Sequence, residues 1–127
     1  DISSITLDKY YHGKVNLIKM DIQGAEYLAL KGMIKLLRKQ KEITIITEYW
    51  PMGLHNAGAS PRKYINLLKK LGFSLFLLDE STGKLAKLNE IKLYNDCTVE
   101  NKNYANLICI KSVNNHYIQS INNGKNN

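Results

Sequence analysis

Two carboxylates stand where this chain could do chemistry: Asp21, near the end of the apolar run VNLIKMDI (15–22), and Glu48, the last residue of ITIITE (43–48). Side chains alternate along a strand, so Val15, Leu17, Lys19 and Asp21 would share one face and Asn16, Ile18, Met20 and Ile22 the other. If the two runs are parallel neighbours, both acids reach the carboxyl edge of a sheet, where open α/β sheets bind ligands. Two acids with Lys19 between them could orient a substrate hydroxyl, accept its proton or hold a positively charged ligand. A structural ion pair is the favoured reading for Lys19, since a lysine buried in a strand must find a partner. Function is favoured for Asp21, which lies where the strand gives way to a helix N-terminus with free N–H groups. Gln23-Gly24 makes the intervening turn, and Glu26 is expected to serve the first amides and dipole of the helix. His12, His55 and His116 have no metal-ligand spacing and read as solvated loop residues, so no metal site is expected.

The elements that must position these groups follow from periodicity. VNLIKMDI is largely apolar on both faces, as an internal parallel strand covered by helices would be. Residues 24 to 40 carry Tyr27, Leu30, Ile34 and Leu37 at helical spacing, with Glu26 near the start and Arg38 and Lys39 at the end. ITIITE is a β-branched buried strand, which completes a βαβ unit. Residues 49 to 59, with Pro51, Gly53 and Gly58, read as a loop. A helix then starts at Ser60-Pro61, buries Tyr64, Ile65, Leu68 and Leu71, and stops at Gly72. FSLFLLD (73–79) and NLICIK (106–111) are strands separated by a polar excursion with at most a helical turn around Asn89 to Tyr94. Without a crossover helix there, the last strand is expected to be antiparallel. The Asn-rich segment 112–127 has little to bury and is expected to be a disordered tail.

Composition narrows the classes. The length of 127 residues suits one domain, and no apolar run approaches the roughly 20 residues of a membrane span. The formal charge of +7 comes from 18 basic residues, nearly all lysines, that are scattered rather than clustered. A nucleic-acid partner is therefore disfavoured. Cys97 and Cys109 lack CxxC spacing and are too few for a disulfide scaffold, which points to the cytoplasm. The residues after Asp1 contain neither a basic n-region nor an apolar h-region, and the chain is expected to begin inside a longer protein.

The segments TLDKYY (6–11), NLIKMDIQGAEYLALKG (16–32), IITEYWPMGL (45–54) and NLICIK (106–111) together resemble the FkbM-type methyltransferase family, KMDIQGAE being the most specific. The resemblance implies an α/β fold, the C-terminal half of a Rossmann-like class I methyltransferase sheet: three parallel strands with crossover helices plus a final antiparallel strand. It implies a partial methyltransferase domain over 1–111, S-adenosylmethionine as cofactor, and O-methyl transfer to a small-molecule or sugar hydroxyl. The glycine-rich cofactor loop of the family has no counterpart here, since nothing like GxGxxG occurs. Asp21 and Glu48 become the catalytic candidates, Asp21, Gln23 and Gly24 the cofactor-binding ones, and Trp50 and His55 the substrate contacts. Gln23 stands where the family usually has a second acid, which removes a charge. Asp8, in the family's TLD, is expected to cap a turn. A noncatalytic remnant or interaction module is the alternative, and self-association through an unpaired sheet edge is expected of a half sheet.

Overall fold

The computed structural model describes residues 3–123. In chain order the elements are α1 (Leu7–Tyr10), β1 (Leu17–Met20), α2 (Glu26–Lys31), α3 (Ile34–Lys39), β2 (Ile43–Tyr49) and α4 (Pro51–Asn56). They continue with α5 (Pro61–Lys70), β3 (Ser74–Asp79), β4 (Lys84–Lys87), α6 (Glu90–Asp96), β5 (Ala105–Lys111) and α7 (Asn115–Asn122). The strands form one mixed sheet in the order β1-β2-β5-β3-β4.

β-branched residues dominate β2, and its burial alternates strictly, with Ile43, Ile45, Thr47 and Tyr49 turned inward. That face packs against Leu30 of α2, Leu37 of α3, and Tyr64, Ile65 and Leu68 of α5, so the helices of both crossovers share one core. On the opposite face a smaller cluster joins Phe76 of β3 and Ile110 of β5 to Ile121 of α7.

The expected three parallel strands need correction: among the described residues the one parallel pair is β1 with β2, and the other pairs are antiparallel. β5 enters between β2 and β3, pairing Thr44 with Ile110 on one side and Ser74 with Ile110 on the other. Its apolar residues leave Leu107 and Cys109 fully buried, which suits a strand flanked on both sides. The last strand is antiparallel, as expected, although the excursion before it holds the seven-residue helix α6 where at most a helical turn is expected. β4 lies within the stretch expected to be a polar excursion; it folds back on β3 through a turn in which Asp79 Oδ1 accepts from the Ser81 and Thr82 N–H groups.

β1 is an edge strand rather than an internal one, and its outward face leaves Leu17 59% exposed and Lys19 exposed. Lys19 thus keeps its solvent and needs no ion pair; among the described residues the salt bridge found is Lys69–Glu90. The single helix expected over 24–40 is two, broken at Gly32-Met33. The break exposes the first amides of α3 to Asp8, whose carboxylate accepts from Lys35 N–H at 3.0 Å and Leu36 N–H at 2.8 Å. In return the Gly32 carbonyl accepts from the Asp8 N–H at 2.9 Å, so Asp8 caps a helix distant in sequence. Residues expected as a loop contain α4, which Pro51 starts from its first turn. The segment 112–127, expected to be disordered, contains α7, whose N-terminus is capped by Asn114; residues 124–127 lie outside the described residues.

Candidate functional site

Parallel pairing of β1 and β2 sets Met20 opposite Thr47, so the next residues, Asp21 and Glu48, stand abreast at the same rim. Asp21 is exposed and accepts a hydrogen bond on Oδ1 from Gln23 Nε2 at 3.1 Å. Gln23 therefore engages the aspartate directly, which a carboxylate at that position could not do without a proton. Glu48 is partly buried, and its carboxyl is held above the ordinary range, first by burial and then by the charges of Asp21, Glu26 and Glu80. Negative potential thus gathers along this edge.

The turn between β1 and α2 is held by two devices. Gln23 and Gly24 adopt positive φ, 56° and 101°. A Cβ at Gly24 would lie 2.3 Å from the carbonyl carbon and oxygen of Gly53, so the space beside it is occupied by the backbone of α4. Glu26, only 1% exposed, accepts on Oε1 from the Ile22 N–H at 3.2 Å, which ties the end of β1 to the start of α2. Its Oε2 is buried with no hydrogen-bond partner among the described residues. Below the rim, Thr47 and Tyr64 share a buried hydroxyl–hydroxyl bond of 2.7 Å.

Trp50 and His55 separate in role. The indole lies across Gly53, where a Cβ would come within 2.2 Å of Trp50 Cε3, and its Nε1–H donates to the Lys102 carbonyl at 3.2 Å. The aromatic side chain therefore joins α4 to the loop before β5. His55, at the end of α4, is exposed near the same loop, where its charge is the last of the influences on Glu100. Hydrogen bonds from the Glu100 backbone and Thr98 are the main reason that Glu100 is held low.

That loop builds a site the motifs did not reveal. A cleft of about 710 Å³ opens between the β3–β4 hairpin, α6 and residues 102 to 106. It lies on the rim of Glu48: Asn106 pairs with Glu48 across β2 and β5, and its Nδ2 donates to Glu80 Oε1 at 2.6 Å. The sequence marks the region only as a polar excursion, because its residues converge through long-range pairing and carry no periodic signal. No group of three or more His, Cys, Asp or Glu suited to a metal ion occurs among the described residues. The two cysteines are buried free thiols, and burial pushes Cys109 up to about 12, which removes it as a nucleophile.

The family model of the methyltransferase FkbM domain matches residues 1–75, a stretch that includes Asp21, Gln23, Glu48, Trp50 and His55 and ends within β3. No curated protein and no solved structure matches the chain. The match covers more than half of the sequence and contains the whole β1–α2–α3–β2 unit with its rim acids; the chain belongs to the FkbM methyltransferase family.

Proposed function

We propose that this chain forms part of an S-adenosylmethionine-dependent methyltransferase that methylates a hydroxyl of a small molecule or sugar. The observation that carries this reading is the placement of Asp21 and Glu48 side by side at one rim, with Asp21 open to solvent. The fit of the cofactor is tested by the donor set: an edge where the charges of Asp21, Glu26 and Glu80 add to burial in raising Glu48 suits a ligand carrying positive charge. Asp21, with Gln23 beside it, would hold such a group, whereas Gly24 shapes the turn from beneath because Gly53 fills its open side. When bound, the cofactor supplies an electrophilic methyl group.

The residues of this chain then have two tasks. Asp21 orients the acceptor hydroxyl and takes up its proton as the oxygen becomes a nucleophile. Glu48, its carboxyl held above the ordinary range by burial and neighbouring acids, assists from the neighbouring strand, and Trp50 fixes the α4 wall through Lys102. His55 remains available to the acceptor at the end of α4. Among the described residues no helix is long and apolar enough to cross a membrane.

The test is Asp21→Asn in the full-length protein that carries these residues, assayed for transfer from labelled S-adenosylmethionine. A fall of about 100-fold or more in turnover is expected at an unchanged thermal midpoint. Unchanged turnover removes Asp21 from the chemistry. A second reading, an interaction module, is favoured by one feature: β1 pairs on one side only and exposes Leu17 and Ile22 at 59% and 43%. Concentration-dependent self-association without cofactor binding would support it over the enzyme.

A further inference from the structure

We propose that the cleft between the β3–β4 hairpin, α6 and the loop before β5 is the acceptor site, and that it takes a hydroxyl-rich ligand of glycosyl type. The proposal rests on the methyl-transfer reading for its purpose and on the geometry of the cleft for its chemistry. At about 710 Å³ the cleft lies within the roughly 300–1,000 Å³ usual for small-molecule sites. Its walls reach the rim of Glu48 through Asn106, which pairs with Glu48 in the sheet while its side chain donates to Glu80 at the cleft; Asp21 and Glu48 themselves stand outside the walls.

The walls are held rather than loose. Asn101 accepts from the Thr98 and Asn103 N–H groups and donates to the Asp96 carbonyl, and Asn103 Nδ2 reaches the same carbonyl at 3.0 Å. Lys102 sits at φ 60°, a left-handed conformation that is uncommon for lysine, with its carbonyl anchored by the Trp50 indole. This conformation turns the loop so that residues 102 to 106 line one side of the cleft.

The lining decides between ligand classes. Leu77, Leu88 and Leu93 provide an apolar floor, and Tyr104, 55% exposed, offers a flat aromatic face at the wall. Around them Lys87, Lys92 and Lys102 face Asp79, Glu80 and Asp96, a balance of three cations and three anions. An anionic ligand such as a phosphate would gain nothing from so balanced a field, and a wholly apolar one would leave the polar ring without partners. A neutral ring bearing many hydroxyls satisfies both: its hydroxyls exchange hydrogen bonds with ammonium, carboxylate and amide groups while its C–H face lies on Tyr104.

The experiment titrates the uniformly ¹⁵N-labelled chain with methyl glucoside, galactoside, mannoside and N-acetylglucosaminide, and in parallel with cyclohexanol and inorganic phosphate. Saturable amide shifts at Lys92, Lys102, Asn103 and Tyr104 are expected with at least one glycoside, at a dissociation constant on the order of 1 mM for a ligand of about a dozen heavy atoms. Tyr104→Ala should weaken that binding about tenfold, Tyr104→Phe should retain it, and Tyr117→Ala, at an exposed site on α7, should leave it unchanged. Absence of saturable shifts with every glycoside, or equal saturation by cyclohexanol or phosphate, overturns the proposal. No cofactor is needed for this titration, so it can fail while Asp21 remains catalytic, and it can succeed if Asp21→Asn proves harmless.

Discussion

Replacing Gly24 by alanine tests the contact that locks the β1–α2 turn to α4. The residue combines two demands: a φ of 101°, and a neighbouring backbone 2.3 Å from where a Cβ would stand. The first costs an L-residue about 1–2 kcal/mol, and the second forces α4 away at an overpacking cost of about 1–3 kcal/mol. Together they amount to about 2–5 kcal/mol, centred near 3.5, a large share of the roughly 5–15 kcal/mol that holds a domain folded. Gly58 is the matched control, because its φ of 77° imposes the backbone demand while nothing lies within 4 Å of its virtual Cβ. Gly58→Ala should therefore cost about 1–2 kcal/mol. Urea unfolding followed by far-UV circular dichroism distinguishes them. With a slope of about 1.5 kcal/mol per molar, the Gly24→Ala midpoint should fall by about 2–3 M and the Gly58→Ala midpoint by about 1 M. Equal falls for the two variants would refute a rigid Gly24–Gly53 contact, and with it the view that α4 is fixed to the rim of Asp21 and Glu48.

Two further substitutions each probe a single carboxylate. Asp8→Ala should cost about 1–2 kcal/mol in the same assay, because it strands the Lys35 and Leu36 N–H groups at the start of α3, and Asp8→Asn should cost less. Glu48→Gln should raise the thermal midpoint at pH 7 by up to about 3 °C, since a carboxyl whose folded pKa lies above its ordinary 4.5 opposes folding once it ionises. The sign fixes the pH window: the gain is present at neutral pH, shrinks as the pH falls through the raised value, and vanishes below 4.5, where the native glutamic acid is neutral in both states. Thermal scans from about pH 4 to about pH 8 check it, and a gain that persists at the acid end would assign the effect to packing.

The strand–helix–strand order around residues 15–49 is legible because an apolar run, a helical spacing and a β-branched run follow one another there. Asp21 and Glu48 can be placed on one edge once the two runs are taken as parallel neighbours, since that pairing leaves little freedom in where strand ends fall. Other features depend on partners far away in the chain. The break between α2 and α3 has no strong local signal beyond Gly32; Asp8 supplies the cap. Pro51 reads as loop punctuation, although proline also suits the first turn of a helix, and that second use is the one α4 makes. α7 hides among asparagines because only Ile118 and Ile121 meet the sheet, and these find Phe76 and Ile110 only after β3 and β5 have paired. The cleft is illegible for the same reason: its walls belong to three elements brought together by tertiary structure.

The place of β5 bears on how the molecule is made. Synthesis proceeds from the amino terminus, yet the strand that joins β2 to β3 is the last of the five to leave the ribosome. Until Ala105–Lys111 emerges, β2 and β3 each present an open hydrogen-bonding border, and the nascent chain has no continuous layer on which to close. Completion of the sheet waits for that strand, and a chain stalled between Lys87 and Ala105 would leave the facing borders of β2 and β3 unpaired.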